Sequence, residues 1–130
     1  METIQKLKGM GFNSELFGLD DSEKDAADKT ELDRFLEGFV LQAVKRVEKL
    51  SEPESELSSQ AVLYFSICEI LPIAWMRASI GVESLKVEGM SINLAKPSVE
   101  EKQTVLSSLL ALAEKQCRLK GDSFPGVIRV

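Results

Sequence analysis

The segment that most constrains this chain lies between residues 57 and 78. Leu57, Ala61, Tyr64, Phe65, Cys68, Leu71 and Trp75 recur at helical spacing. Val62, Leu63, Ile67, Ile70 and Ile73 carry the apolar surface nearly all the way round. A helix that is apolar on most sides must be covered on most sides. Two outcomes stay open. It is the central helix of a small bundle, or its surplus side, with Val62, Ile70, Ile73 and Trp75, faces another subunit. Pro72 interrupts the pattern, and its ring clashes with the carbonyl of Cys68, which predicts a kink or a break.

Two further helices flank this one. The first starts near Thr30, whose hydroxyl can accept the N–H of Asp33, with Asp33 in the electropositive first turn. Leu32, Leu36, Val40, Ala43, Val47 and their neighbours then form one wide stripe as far as Leu50. Pro53 ends it. The last helix follows Pro97, with Ser98 and Glu101 in capping-box spacing and Gly121 as a stop.

Between residues 83 and 94 the period changes to two. Leu85 and Val87 alternate in one parity; Met90, Ile92 and Leu94 alternate in the other. A two-residue turn at Glu88-Gly89 pairs Val87 with Met90 and Leu85 with Ile92, so that all four side chains share a face. That face either lies on the chain's own helices or packs on a neighbour. Residues 1–29 read as a weakly structured arm pinned by Ile4, Leu7, Met10, Leu16, Phe17 and Leu19, interrupted by Gly9, Gly11 and Gly18 and closed by an acidic linker from Asp20 to Lys29. The expected fold is all-α: a small antiparallel bundle of three main helices, the second kinked or broken at Pro72, with a short hairpin-like excursion before the third. The helical domain spans 30–120, and 121–130 is an apolar, β-branched tail.

The 130 residues suit one domain with one core, and the net charge of −5 disfavours broad wrapping of nucleic acid. The basic residues Lys45, Arg46 and Lys49 sit among helix acids and read as a wetted face. There is no histidine, which removes the commonest neutral-pH acid/base group and metal ligand. Two separated cysteines, Cys68 and Cys117, read as buried thiols of a reducing compartment, with a single disulfide as the lesser alternative. No phosphate loop, nucleophile elbow or calcium-loop spacing occurs, so neither an enzyme nor a cofactor is expected. No signal peptide is apparent. The apolar stretch around Leu71–Met76 holds a proline between Glu69 and Arg77, so no membrane span is expected.

The order of elements carries a resemblance. A helix with the string Phe39-Val40-Leu41-Gln42-Ala43-Val44-Lys45-Arg46-Val47-Glu48 leads to a second long helix ending near Met76. Then come Glu83-Ser84-Leu85-Lys86-Val87-Glu88-Gly89-Met90-Ser91-Ile92 and a closing helix. Over roughly residues 30–120 this resembles the head-completion, or head-tail connector, proteins of tailed bacteriophages and prophages. The resemblance implies a homo-oligomeric ring below the portal, joining the portal protein to a tail or stopper protein. Double-stranded DNA would be transient channel content and no membrane would be involved. It places the protein in the virion, and in the host bacterial cytoplasm during assembly. Subunit or portal contacts would fall on Leu85, Val87, Met90, Ile92 and Leu94, and on Val62, Ile70, Ile73 and Trp75. The alternative is a helical adaptor or regulatory module that binds one protein partner.

Overall fold

A computed structural model describes residues 2–50, 58–77, 84–87, 90–94 and 97–121. The chain is mostly helical with one small antiparallel sheet. The order is α1 (Glu2–Met10), α2 (Ser14–Phe17), α3 (Glu31–Leu50), α4 (Ser59–Arg77), β1 (Ser84–Val87), β2 (Met90–Asn93) and α5 (Val99–Gly121). The three long helices stand where the apolar periodicity placed them. The stop at Pro53, the turn at Glu88-Gly89 and the tail 122–130 lie outside the described residues.

α4 is the central element, and α3 and α5 pack along it. Leu63, Phe65, Ile67, Ile70, Leu71 and Ala74 are all buried, as befits a helix that is apolar on nearly every side. The run Ser59–Met76 is also long and apolar enough to cross a membrane, which the shorter stretch considered from sequence was not. Here that apolar surface is spent on the chain's own core. Trp75 in the last turn of α4 lies beside Lys102 in the first turn of α5. Arg46 of α3 lies over the Phe65 ring at 4.6 Å and reaches Glu69 at 3.7 Å, which ties α3 to α4. Lys45 and Lys49 are exposed.

Cys68 and Cys117 are both buried and form no disulfide, and burial pushes the Cys68 thiol up to about 11.

The first correction concerns the arm. Residues 2–17 are two helices whose side chains belong to the same core as α3, α4 and α5. Gly9 lies inside α1 instead of interrupting it, and Gly11 ends it. The Gly11 N–H donates to the Lys8 carbonyl and the Phe12 N–H to the Leu7 carbonyl, both at 3.1 Å. Those two bonds, closed by a glycine at φ +119°, form a Schellman stop. The stop turns Phe12 inward beside Leu7, and both are fully buried. Phe12 then starts a run of rings through Phe17 and Phe35 to Phe39, with centroids 6.4, 4.9 and 5.1 Å apart. A Cβ on Gly11 would come within 2.5 Å of the Leu85 side chain. Gly11→Ala therefore combines backbone strain with a clash and should cost about 1–3 kcal/mol, read as a lowered thermal midpoint.

At Pro72, where the sequence predicts a kink or a break, α4 continues as one helix. Pro72 is exposed, and its missing N–H leaves the Cys68 carbonyl without its helical donor. Pro72→Ala restores that donor, and the expected result is a gain of about 1–3 kcal/mol, measured by chemical denaturation. The start of α4 also differs by two residues. Ser58, not Leu57, precedes the helix, and its Oγ accepts from the Ala61 N–H at 3.2 Å.

Candidate contact surface

The hairpin stands beside the junction of α4 and α5. β1 and β2 pair antiparallel with Val87 opposite Met90 and Leu85 opposite Ile92, the register the alternation predicts. Leu85, Val87 and Ile92 are buried, as is Leu94 just after β2. Lys86 and Ser91 lie on the solvent side. One face of this small sheet therefore closes the core, and α1 meets it through Gly11 and Leu85. The Trp75 indole N–H donates to the Asn93 carbonyl at 3.0 Å, and Lys102 Nζ sits 5.7 Å from the Trp75 ring centroid. Trp75 thus pins the hairpin, α4 and α5 together.

This placement decides what the predicted contact residues can offer. Leu85, Val87, Ile92, Leu94, Val62 and Ile70 are used inside the chain. Ile73 and Trp75 are half-buried against the same core. The Met90 backbone is paired with Val87, and its side chain lies outside the description. The apolar surface that does face solvent is elsewhere. Met76 at the end of α4 is 86% exposed and Val99 at the start of α5 is 68% exposed. Both lie at the hairpin end of the α4–α5 pair, beside the Trp75–Lys102 contact. Leu41 and Leu50 on α3 are about half exposed. Sequence reasoning missed Met76 and Val99 because exposure at a helix terminus depends on where the neighbouring helix starts.

A cleft of about 510 Å³ lies between α1, the 20–30 segment and the start of α3. Its centre is Lys8. The ammonium donates to Asp21 Oδ1 at 2.8 Å and to Asp33 Oδ1 at 2.5 Å. Thr30 Oγ1 donates to the same Asp21 oxygen at 2.7 Å. Thr30 and Asp33 also cap α3 reciprocally: the Asp33 N–H donates to Thr30 Oγ1 at 3.1 Å, and the Thr30 N–H to Asp33 Oδ2 at 2.9 Å. Around this centre Lys29 pairs with Glu37, Lys24 with Asp28 and Arg34 with Asp25. The acidic segment is exposed, as expected of a linker, and it is also hydrogen-bonded into a strap. Asp20 accepts from Ser22 Oγ and the Glu23 N–H, and Asp25 accepts from the Ala27 and Lys29 N–H groups. The Asp20 carbonyl receives the Leu32 N–H at 3.0 Å, an otherwise unpaired donor of the first turn of α3. The charges of the cleft satisfy one another, so it is a clasp that seats α1 and the strap on α3.

The clasp titrates accordingly. Burial pushes the Asp33 carboxyl up, but hydrogen bonds from Lys8 and Thr30 and the charge of Lys8 outweigh it and hold the group at about 2. Burial lowers Lys8, and its bonds to Asp21 and Asp33 more than reverse that. A carboxyl depressed from 3.8 to about 2 adds stability that is fully present above pH 3.8 and is lost as pH falls through 2. A raised lysine adds stability that is present at neutral pH and is lost in strong alkali. With solvent screening at the cleft rim, Asp33 should contribute about 1 kcal/mol. Urea midpoints measured from pH 5 down to 2 should fall more steeply for the natural chain than for Asp33→Asn. Parallel slopes would remove Asp33 as the source.

Compared with protein-family models, curated proteins and solved structures, the chain matches none of them.

Proposed function

We propose that this chain is a structural subunit of a head-tail connector ring of a tailed phage or prophage. In that role it joins the portal protein to a tail or stopper protein and lines or seals the DNA channel. The observation that carries the reading is the order of the elements. Two long helices are followed by a short paired segment and a closing helix, an order that supports the reading, since the resemblance implies two long helices, an extended loop and a closing helix. The internal use of charge fits the same reading. The ionic groups of the cleft around Lys8 are paired with one another, which suits holding a shape better than handling a substrate. The net charge of −5 fits a channel wall that does not retain DNA.

The contacts would differ in detail from those expected at the outset. With the inner hairpin face spent on the core, Met76, Val99 and the outer hairpin face are the surfaces left for a portal or a neighbour. The deciding experiment is a mass measurement of the chain in solution with purified portal protein. A ring of this chain on the portal supports the reading; a chain that stays monomeric and never joins the portal sinks it. A ring that forms only on the portal is compatible with a monomer in isolation.

A helical adaptor for one protein partner is the second reading. It is favoured by the small size of the apolar patch at Met76 and Val99. A stable dimer or one-to-one complex, with no ring on the portal, would select it.

A further inference from the structure

The strap from Asp20 to Lys29 closes one side of the cleft between α1 and α3. None of its side chains enters the hydrophobic core, and residues 20–28 are all exposed. Among the described residues, the groups that hold it down are polar. Asp21 accepts from Lys8 of α1 and from Thr30 at the start of α3. Asp25 pairs with Arg34, and Lys29 with Glu37, both partners standing on α3. One main-chain bond joins the strap to the helices, from the Leu32 N–H to the Asp20 carbonyl.

The strap also carries its own shape. Besides the turns closed by the Asp20 and Asp25 carboxylates, the Asp25 N–H donates to the Lys29 carbonyl at 2.8 Å and the Asp28 N–H to the Asp25 carbonyl at 3.0 Å. These bonds run within the segment and survive if it lifts. A left-handed residue stands near each end, Gly18 at φ +66° and Asp28 at φ +63°. Gly18 is exposed with open space around it, so the chain can turn there without repacking. The segment before it is anchored differently. Leu7, Phe12, Leu16 and Phe17 are all buried in the core.

A segment with few buried apolar contacts and exposed hydrogen bonds opens far more often than the whole fold. Exposed ion pairs weaken as the Debye length falls from about 30 Å at 0.01 M salt to about 3 Å at 1 M. We propose that the strap is a salt-gated lid. It lifts as a unit between Gly18 and Thr30 while the helices stay packed, and ionic strength sets how often it does so. Lifting uncovers Ile4, Lys8, Asp33 and Glu37, the wall of the cleft on α1 and α3. The device stands on these contacts and does not depend on the connector reading.

Amide hydrogen exchange of the full chain, resolved by residue at fixed pH, tests it. The Leu32 N–H reports on the lid, because its acceptor lies on the strap. The Phe12 N–H, bonded to the Leu7 carbonyl, reports on the core. Three ion pairs join the strap to the helices, through Lys8, Arg34 and Glu37. With each pair worth a factor of about two, raising sodium chloride from about 0.01 M to about 1 M should speed Leu32 exchange about eightfold relative to Phe12. The double variant Arg34→Gln, Glu37→Gln removes two pairs and leaves the strap sequence intact. It should speed Leu32 exchange about fourfold at low salt, cut the salt response to about twofold, and leave Phe12 exchange unchanged. Leu32 exchange indifferent to salt would overturn the gate. Leu32 and Phe12 rising together would overturn the lid, since the strap would then open only with the core. A double variant that keeps the full salt response would overturn the role of the pairs and with it the proposal.

Discussion

Replacing Leu85 with aspartate should unfold the hairpin and much of the molecule with it, while the same replacement at Lys86 should leave stability almost unchanged. Leu85 is 1% exposed and meets the backbone of Gly11, whereas its neighbour Lys86 is exposed. A carboxylate at position 85 would lie on the buried hairpin face with Val87 and Ile92, beside Gly11. Leaving a charge buried and unpaired costs about 3–5 kcal/mol. A domain of ordinary stability holds only about 5–15 kcal/mol in total. The Lys86→Asp change should stay within about 0.5 kcal/mol. Denaturant midpoints of the two variants measure the contrast. If both variants fall equally, the hairpin face is not part of the core. If neither falls, the hairpin folds independently of the helices.

Phe12→Ala should cost about 3–5 kcal/mol, the range for emptying a fully buried aromatic site. Phe12 has no exposure and begins the ring series that continues through Phe17 and Phe35. Glu15→Ala, an exposed change in the same segment, should do almost nothing and serves as the control. A weakly structured arm would show the opposite pattern, with both changes near neutral. Near-ultraviolet circular dichroism together with the urea midpoint would separate loss of packing around the rings from global unfolding.

These two sites mark where sequence reasoning was strong and where it failed. The hairpin was legible because a change from period 3.6 to period 2, with a parity switch between Val87 and Met90, admits a single register with all four apolar side chains on one side. The caps were legible because they are local: Thr30 with Asp33, and Ser98 with Glu101, bond across one helical turn. The arm was misread because its glycines were taken as interruptions. Gly9 sits within α1, and Gly11 and Gly18 close α1 and α2. A glycine marks a break or a cap depending on what its stop turns inward. For Gly11 that is Phe12, whose ring partner Phe17 lies in α2. The pairing of the exposed acidic strap was not legible for a related reason. Asp21 and Asp33 gain their value from Lys8, which is distant in sequence.

The helix apolar on nearly all sides posed the main question about function, and its answer divides the two kinds of information. From the sequence alone, residues 59–77 had to be helical and had to be covered, because water opposes a wide apolar surface wherever it occurs. Sequence periodicity shows which side chains need cover and says nothing of what provides it. Only the tertiary structure decided that α1, α2, α3, α5 and the hairpin provide it from within the chain. That assignment keeps the inner hairpin face inside the chain and leaves Met76 and Val99 exposed. The physical reason is that burial depends on distances between elements, and the hydrophobic effect is satisfied equally by the same chain or by another.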